Sequence, residues 1–163
     1  MFLELNAEGH QACTECTFIN YNPPVSVVAL VMPKDDGLVL VLRGEQPGKG
    51  KHCLPCGFID TGEGPVEAAI REGKEETGYD LVVNKLIGYF TDEEKNLIVH
   101  IMLCRIVGGS PSEAKKGTDT VSVGVFNKAK GLPPIAFPLH DEIIDRRFAG
   151  KILFDTEDAN LNF

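Results

Sequence analysis

A short acidic segment in the middle of the chain carries the residues best suited to chemistry, Glu72, Glu75 and Glu76. In a helix, spacings of three and four residues place these carboxylates side by side, where each like-charge pair costs roughly a few tenths of a kcal/mol. A bound cation removes that cost. Mg²⁺ prefers carboxylate and carbonyl oxygens, keeps several waters and commonly shares its coordination shell with substrate phosphates. The segment therefore predicts a magnesium site, with Mn²⁺ as the alternative ion.

A helix from Pro65 to Thr77 must position these carboxylates. Proline suits the first turn, where its missing N–H costs no hydrogen bond, and Gly78 suits the residue just past the end. Helical spacing predicts a buried stripe, which consists of Val66, Ala69, Ile70, Gly73 and Thr77. The face left polar consists of Glu67, Arg71, Glu72, Lys74, Glu75 and Glu76.

An ordinary solvated helix is the alternative interpretation of this segment. Glu67 can pair with Arg71 along the helix surface, and Arg71 can pair with Glu75. However, several glycines and Glu63 crowd the approach to the helix, at positions 57–64. A solvated helix has no need of them, so this alternative leaves part of the pattern unexplained.

The residues from Gly57 to Tyr79 resemble the Nudix box of the MutT/Nudix hydrolases. The shared pattern is Gly57, five residues, Glu63, seven residues, and then the run Arg71-Glu72-Gly73-Lys74-Glu75-Glu76-Thr77-Gly78-Tyr79. One position departs, because the family usually carries an aliphatic residue where this chain has Gly73. Glycine there costs about 1 kcal/mol of helix propensity, and we expect it to let the helix approach the sheet more closely.

The resemblance implies hydrolysis of a nucleoside diphosphate linked to another group, with water attacking one phosphorus of the pyrophosphate. The metal ligands that it implies are Glu72, Glu75, Glu76 and the backbone carbonyl at or next to Gly57. Arg71 would hold the glutamates in position, and Glu63 would support them without binding the metal directly. A chain of formal net charge -8 needs metal ions to accept so anionic a substrate.

The resemblance leaves open which group activates the attacking water, because family members take this base from the box or from a loop outside it. The expected catalytic residues are Arg71, Glu72 and Glu75, and Glu72 is the first choice for the base. The other candidates lie in polar turns, where acidic residues are ordinarily just solvated. They are Glu93, Glu94, Glu113 and Asp119.

Arg43 is the candidate for substrate binding. It ends a predicted strand just before a turn rich in glycine and proline, and a guanidinium can hold phosphate oxygens in a bidentate manner. Lys49 and Lys51 follow in the same loop and add positive charge. The alternative is that these residues simply keep the surface solvated.

Hydrophobic runs on both sides of the box predict an α+β (α/β) fold, in which a mixed sheet has helices on both faces, as the Nudix resemblance also implies. The run Val25 to Met32 predicts a buried strand that forms a hairpin with Leu38 to Arg43 across a turn signal. Later elements are predicted as strands at Leu81 to Thr91, Leu97 to Val107 and Thr120 to Phe126, and as a helix at Leu139 to Phe148.

Five cysteines without a secretory signal peptide predict a reducing, cytoplasmic setting. Cys13 and Cys16 have the spacing of half a zinc site, as do Cys53 and Cys56. Residues 13–29 also resemble the second half of the N-terminal zinc ribbon found in ADP-ribose, NADH and FAD pyrophosphatases of the family. Only twelve residues precede Cys13, so the first half is expected to be missing. Reduced thiols are therefore favoured over Zn²⁺ at Cys13 and Cys16.

The composition, with 43% hydrophobic and 25% charged residues in 163, is typical of one globular domain. We expect an N-terminal cysteine-containing segment at 1–22, the Nudix hydrolase domain at 23–150 and an acidic tail at 151–163. The longest apolar run is too short to span a bilayer. Net negative charge without a basic stripe argues against nucleic acid as the main partner. The sequence leaves the oligomeric state open, a homodimer included.

Two functions from different classes follow from these patterns. The favoured one is a Mg²⁺-dependent hydrolase that cleaves the pyrophosphate of a small nucleotide substrate such as ADP-ribose, NADH or FAD. The alternative is a catalytically silent module that senses nucleotides or binds a protein. The intact glutamate set favours the enzyme, since a pure binder has little need for mutually repulsive carboxylates.

Overall fold

A computed structural model of the protein describes residues 2–114 and 119–151. The strands are β1 (Leu3–Leu5), β2 (Gln11–Cys13), β3 (Ile19–Asn20), β4 (Val25–Val31), β5 (Pro33–Lys34), β6 (Gly37–Arg43), β7 (His52–Cys53), β8 (Cys56–Phe58), β9 (Tyr79–Asp92), β10 (Leu97–Gly109) and β11 (Thr120–Phe126). The α-helices in this part of the chain are α1 (Pro65–Thr77) and α2 (Pro138–Phe148), and neither is long and apolar enough to cross a membrane. Apart from residue 151, the predicted acidic tail lies outside the described residues.

Within the described residues, the strands form three sheets. One is mixed, with the order β8-β4-β10-β9, in which β4 and β10 run parallel and the other neighbours antiparallel. A second sheet is antiparallel, with the order β11-β6-β5 and with β7 also paired to β6. The short strands β1, β2 and β3, which precede β4 in the chain, make a separate antiparallel sheet.

The two helices lie on opposite faces of the mixed sheet. Leu30 of β4 packs in one core cluster with Ala69 of α1, whereas the next residue, Val31, packs in another cluster with Ile144 of α2. Because successive side chains of a strand point to opposite faces, β4 contributes to both clusters. This arrangement confirms the predicted α+β fold with helices on both faces of a mixed sheet.

The predicted hairpin between the first two long apolar runs is wrong except at its tip. β4 and β6 belong to different sheets, and only the short β5 pairs with β6, with Pro33 opposite Leu38. The chain changes sheets near Met32, whose carbonyl accepts a hydrogen bond from Val39 N–H at 3.0 Å. Both runs are buried on both faces, so the apolar pattern alone could not tell two paired strands from two central strands of separate sheets.

Helix α1 has the bounds that its sequence predicted, and Ala69, Gly73 and Thr77 are buried as predicted, but the rest of its buried face differs. The buried residues are Ala68, Ala69, Gly73, Glu76 and Thr77. Val66 and Ile70, expected in the buried stripe, are 45% and 42% exposed, so that prediction is wrong for both. The helix packs through its small residues. Glu76 is buried with them, because hydrogen-bond donors on the sheet side satisfy its carboxylate.

Gly73 explains how the helix comes so close to the sheet. A Cβ atom at Gly73 would lie 2.1 Å from Leu81 Cδ1 and 3.3 Å from Leu30 Cδ1. No side chain larger than hydrogen fits without moving its neighbours. The expectation that glycine permits a closer approach is therefore confirmed.

Candidate metal and substrate site

Glu72 lies directly against the backbone of β8. A Cβ atom at Gly57 would be 2.1 Å from the carboxylate carbon of Glu72, so a glycine is required for this contact. Arg71 Nη1 donates to Glu72 Oε1 at 2.6 Å. Burial raises the pKa of Glu72, the hydrogen bond from Arg71 opposes that rise, and the nearby charge of Glu75 adds to it. The result is a carboxylate with a fixed orientation and a reduced preference for the charged form.

Arg71 owes its position to residues that precede the helix. Its Nε and Nη2 donate to the two carboxylate oxygens of Glu63 at 2.9 and 2.8 Å, and Nη2 also donates to the carbonyl of Phe58 at 2.8 Å. Glu63 accepts a further hydrogen bond from Asp60 N–H at 3.0 Å. Hydrogen bonding from Arg71 lowers the pKa of Glu63 to about 2. Glu63 thus stays charged and holds the guanidinium against Glu72.

Glu76 is almost completely buried, with 4% of its surface exposed. Its carboxylate accepts hydrogen bonds from Cys56 N–H at 2.9 Å and from Thr120 Oγ1 at 3.3 Å. Within residues 2–114 and 119–151 it forms no salt bridge. Burial raises the pKa of Glu76 to about 8. A buried acid with hydrogen-bond donors but no cationic partner is suited to bind a metal ion.

The outer edge of β8 offers a backbone carbonyl to the same region. Leu30 N–H donates to the carbonyl of Pro55 at 2.8 Å, so Pro55 and, two residues later, Gly57 face β4. Cys56 faces the other way, since its N–H donates to Glu76. The N–H and C=O of one strand residue share a direction, and the carbonyl next to the carboxylates is therefore that of Cys56 and not that of Gly57.

The three box glutamates do not meet at one point. In the described part of the chain, their oxygens do not form a group that lies within 4.8 Å of one another. Two of them are held by different partners, Glu72 by Arg71 and Glu76 by Cys56. The three carboxylates therefore do not converge on a single point among these residues, but they remain neighbours, since the charge of Glu75 acts on Glu72 and that of Glu72 acts on Glu76. Since Mg²⁺ keeps several waters, and hydrolytic sites often hold two ions, separated carboxylates still suit it.

The structure separates the candidates for a base outside the box. Asp119 lies near Glu76. Burial is the main cause of the raised pKa of Glu76, and the charges of Cys53 and then Asp119 raise it further. Glu113 instead forms a 2.8 Å ion pair with Lys74, whose Nζ also donates to the carbonyl of Gly78. The remaining two candidates, Glu93 and Glu94, are exposed in the turn between β9 and β10.

Arg43 already has several partners in the protein. Its Nε donates to the carbonyl of Pro47 at 2.7 Å, its Nη2 lies 3.2 Å from Asp119 Oδ2, and its guanidinium stacks over the ring of Phe137 at 5.1 Å. The side chain is 11% exposed. Sequence patterns did not reveal Asp119 or Phe137 as partners, because both come from distant parts of the chain.

A second group of polar side chains lies beside β8. The Sγ atoms of Cys53 and Cys56 and one ring nitrogen of His140 all lie within 4.8 Å of one another. A hydrogen bond from Cys56 lowers the pKa of Cys53 to about 5. The sequence identified this cysteine pair but missed His140, which comes from α2. Among the residues that the structure covers, Cys13 and Cys16 belong to no such group of three, and zinc there stays a prediction.

The fold and the Nudix box define the class of this protein. The model of the NUDIX domain family matches residues 22–146, and the chain belongs to this family of hydrolases. The predicted class of enzyme, a hydrolase of the nucleotide pyrophosphatase type, is thereby confirmed.

Known relatives agree with this assignment. An ADP-ribose pyrophosphatase of Methanocaldococcus jannaschii is 34% identical over 128 residues, which cover 76% of this chain and 73% of that protein. The NAD-capped RNA hydrolase NudC of Photobacterium profundum is 27% identical over 124 residues, which cover 76% of this chain but 45% of that protein. The crystal structure of a NUDIX hydrolase from Nitrosomonas europaea superimposes with a TM-score of 0.77 at 22% identity, over 91% of this chain and 88% of that one. This last likeness concerns the fold alone.

Proposed function

We propose that this Nudix hydrolase uses Mg²⁺ to cleave the pyrophosphate of a nucleoside diphosphate linked to another group, with ADP-ribose as the first substrate to test. The observation that carries the proposal is the buried carboxylate of Glu76, which has two hydrogen-bond donors and no salt bridge within the described residues. Such a group is unfavourable unless a proton or a metal ion neutralises it.

The residues that would hold the metal are Glu72, Glu75, Glu76 and the carbonyl of Cys56, which is next to Gly57 and so lies within the predicted set. These ligands are all hard oxygens, which suits Mg²⁺ and Mn²⁺ better than softer ions. When bound, the ion would supply charge neutralisation for the pyrophosphate and a more acidic water.

Glu72 is the proposed base. Its orientation is set by Arg71, which Glu63 holds in turn, so a carboxylate is held in a fixed position where it can accept a proton. Asp119 is the alternative, because it lies close enough to Glu76 for its charge to be felt there. Comparing the pH dependence of kcat in Glu72→Gln and Asp119→Asn will distinguish them, since loss of the base removes the acidic limb of the profile.

Arg43 remains the proposed contact to a substrate phosphate. Its partners within the protein give it an alternative, purely structural role, and the two roles can be distinguished by kinetics. Arg43→Lys keeps the positive charge but loses the bidentate fork. A raised KM with little change in kcat supports a contact with substrate. An unchanged KM would mean that Arg43 only ties its loop to Asp119 and Phe137.

The choice of substrate comes from the relatives. One is named an ADP-ribose pyrophosphatase and another an NAD-capped RNA hydrolase, so we infer that an adenine dinucleotide or ADP-linked sugar is the class to test. ADP-ribose, NADH and FAD should therefore be compared, with product analysis for AMP and the phosphorylated remainder.

The decisive experiment compares wild type, Glu76→Gln and Glu67→Gln in Mg²⁺, Mn²⁺ and EDTA. Glu67 is the matched control, because it is an exposed glutamate on the same helix. We expect metal-dependent hydrolysis by wild type and Glu67→Gln, and a loss of about 10²-fold or more in Glu76→Gln. Equal rates in Glu76→Gln and wild type would contradict the mechanism. Nucleotide binding without turnover in every protein would instead support the silent sensing module.

A further inference from the structure

Strand β8 separates two groups of potential metal ligands. Gly57 pairs with Val28, and the side chain of Val28 packs in the core cluster that contains residues of α1. On the face of the sheet that carries α1, Gly57 contacts Glu72. Because successive strand side chains point to opposite faces, the side chain of Cys56 faces α2, which carries His140. Glu72 therefore lies on one face of the strand and the sulfur and nitrogen ligands lie on the other, while Glu76 accepts the Cys56 N–H at the outer edge of the strand.

The sulfur and nitrogen ligands form a compact and largely buried group. Cys53 is 0% exposed and His140 is 5% exposed, while Cys56 is half-buried. All three ligand atoms lie within 4.8 Å of one another. Two thiolates and an imidazole are the ligands that Zn²⁺ prefers, and a spacing of two residues between paired cysteines is common in zinc sites. Mg²⁺ avoids such ligands.

We propose that Cys53, Cys56 and His140 bind one thiophilic divalent ion, for which Zn²⁺ is the natural occupant, at a site separate from the carboxylates. Binding forms two metal–sulfur bonds and one metal–nitrogen bond, and releases to solvent the protons that the thiols still hold, with no transfer of electrons. Three protein ligands leave the fourth position of a tetrahedral ion to water.

The charges around the site are compatible with a divalent cation. Arg43 Nη1 lies 4.0 Å from Cys53 Sγ, and this positive charge is already paired with Asp119 at 3.2 Å. The two thiolates then balance the charge of the ion. The site does not depend on the proposed hydrolysis, because it shares no side chain with the carboxylate set.

Metal binding here would clamp the approach to the Nudix box onto α2. The same short segment presents Cys56 N–H to Glu76 and the backbone of Gly57 to Glu72. Fixing the side chain of Cys56 therefore fixes the strand on which both glutamates rest. The inferred role is structural support of the active site from its opposite face.

The hydrogen bond of His140 supplies a specific signature. Leu54 N–H donates to His140 Nδ1 at 3.2 Å. If the ring binds the metal through Nδ1, this nitrogen can no longer accept the hydrogen bond. If the ring binds through Nε2, its proton must lie on Nδ1, which then points a hydrogen at the Leu54 N–H and cannot accept from it. In both cases the Leu54 amide loses its acceptor, so its NMR resonance should move when the ion binds.

The test is a Co²⁺ titration of the reduced wild-type protein in excess Mg²⁺, which occupies the carboxylates. We expect about one equivalent of Co²⁺ to produce a thiolate-to-cobalt charge-transfer band that Zn²⁺ abolishes. Zn²⁺ should also slow alkylation of Cys56, measured by peptide mass spectrometry, and shift the Leu54 amide resonance. No charge-transfer band and an unchanged alkylation rate would overturn the proposal.

Matched variants locate the site. Cys13→Ser/Cys16→Ser removes the other cysteine pair of equal spacing and should leave the band intact, whereas Cys53→Ser/Cys56→Ser should abolish it. His140→Gln should weaken Co²⁺ affinity at least about tenfold. A band that is lost with Cys13 and Cys16 instead would overturn the proposal. If the Cys53 and Cys56 variant fails to fold by circular dichroism, the wild-type measurements and His140→Gln decide.

Discussion

Replacing Glu76 by glutamine should stabilise the metal-free protein at alkaline pH. Glutamine keeps an oxygen that can accept the Cys56 N–H but carries no charge into the interior. Burial raises the pKa of Glu76 from 4.5 to about 8, so between these values the folded protein holds a proton that the unfolded chain has lost. Stability from this group therefore falls as the pH rises through that interval. At about 1.4 kcal/mol for each pH unit, the full loss above pH 8 is about 5 kcal/mol.

Urea denaturation of EDTA-treated protein between about pH 5 and about pH 9 measures this loss. The free energy of unfolding of Glu76→Gln should match that of wild type at the acidic end and exceed it by several kcal/mol at the alkaline end. Glu67→Gln, an exposed replacement on the same helix, should follow wild type throughout. Addition of Mg²⁺ should stabilise wild type much more than Glu76→Gln, because the variant lacks one charged member of the proposed ligand set.

A single result would refute this reasoning. If wild type and Glu76→Gln show parallel pH profiles in EDTA, the native state does not bury an uncompensated charge at this position. The basis for the proposed metal site would then be lost, whatever the activity of the protein.

Three further predictions concern the supports of the site. Gly57→Ala should lower hydrolysis by about 10²-fold without unfolding the protein, because its Cβ would displace Glu72; kinetics with circular dichroism test this, and full activity would contradict it. Gly73→Ile should destabilise by about 1–3 kcal/mol in urea denaturation through its clash with Leu81, and adding Leu81→Ala should recover part of the loss. Glu63→Gln should remove the acid-sensitive stability that Glu63 contributes above about pH 4.5 and loses as the pH falls towards 2; identical acid denaturation curves would exclude this.

The sequence by itself determined the local elements and the type of chemistry. Pro65 and Gly78 marked the ends of α1, and β11 has the predicted bounds Thr120–Phe126. The spacing of the glutamates and glycines identified the Nudix box, which the family match confirms. These features could be predicted because helix caps, side-chain periodicity and motif spacing depend on residues that are neighbours along the chain.

Tertiary structure alone decided which side chains are buried and which groups meet. Glu76 is polar by its helical position, yet it is buried by contacts with Cys56 and Thr120, while Ile70 is left exposed. The sequence also did not show that two apolar runs belong to separate sheets. Nor did it show that His140 lies beside a cysteine pair. Each depends on contacts between residues far apart in sequence, whose free energy comes from packing and desolvation and leaves no periodic pattern in the chain.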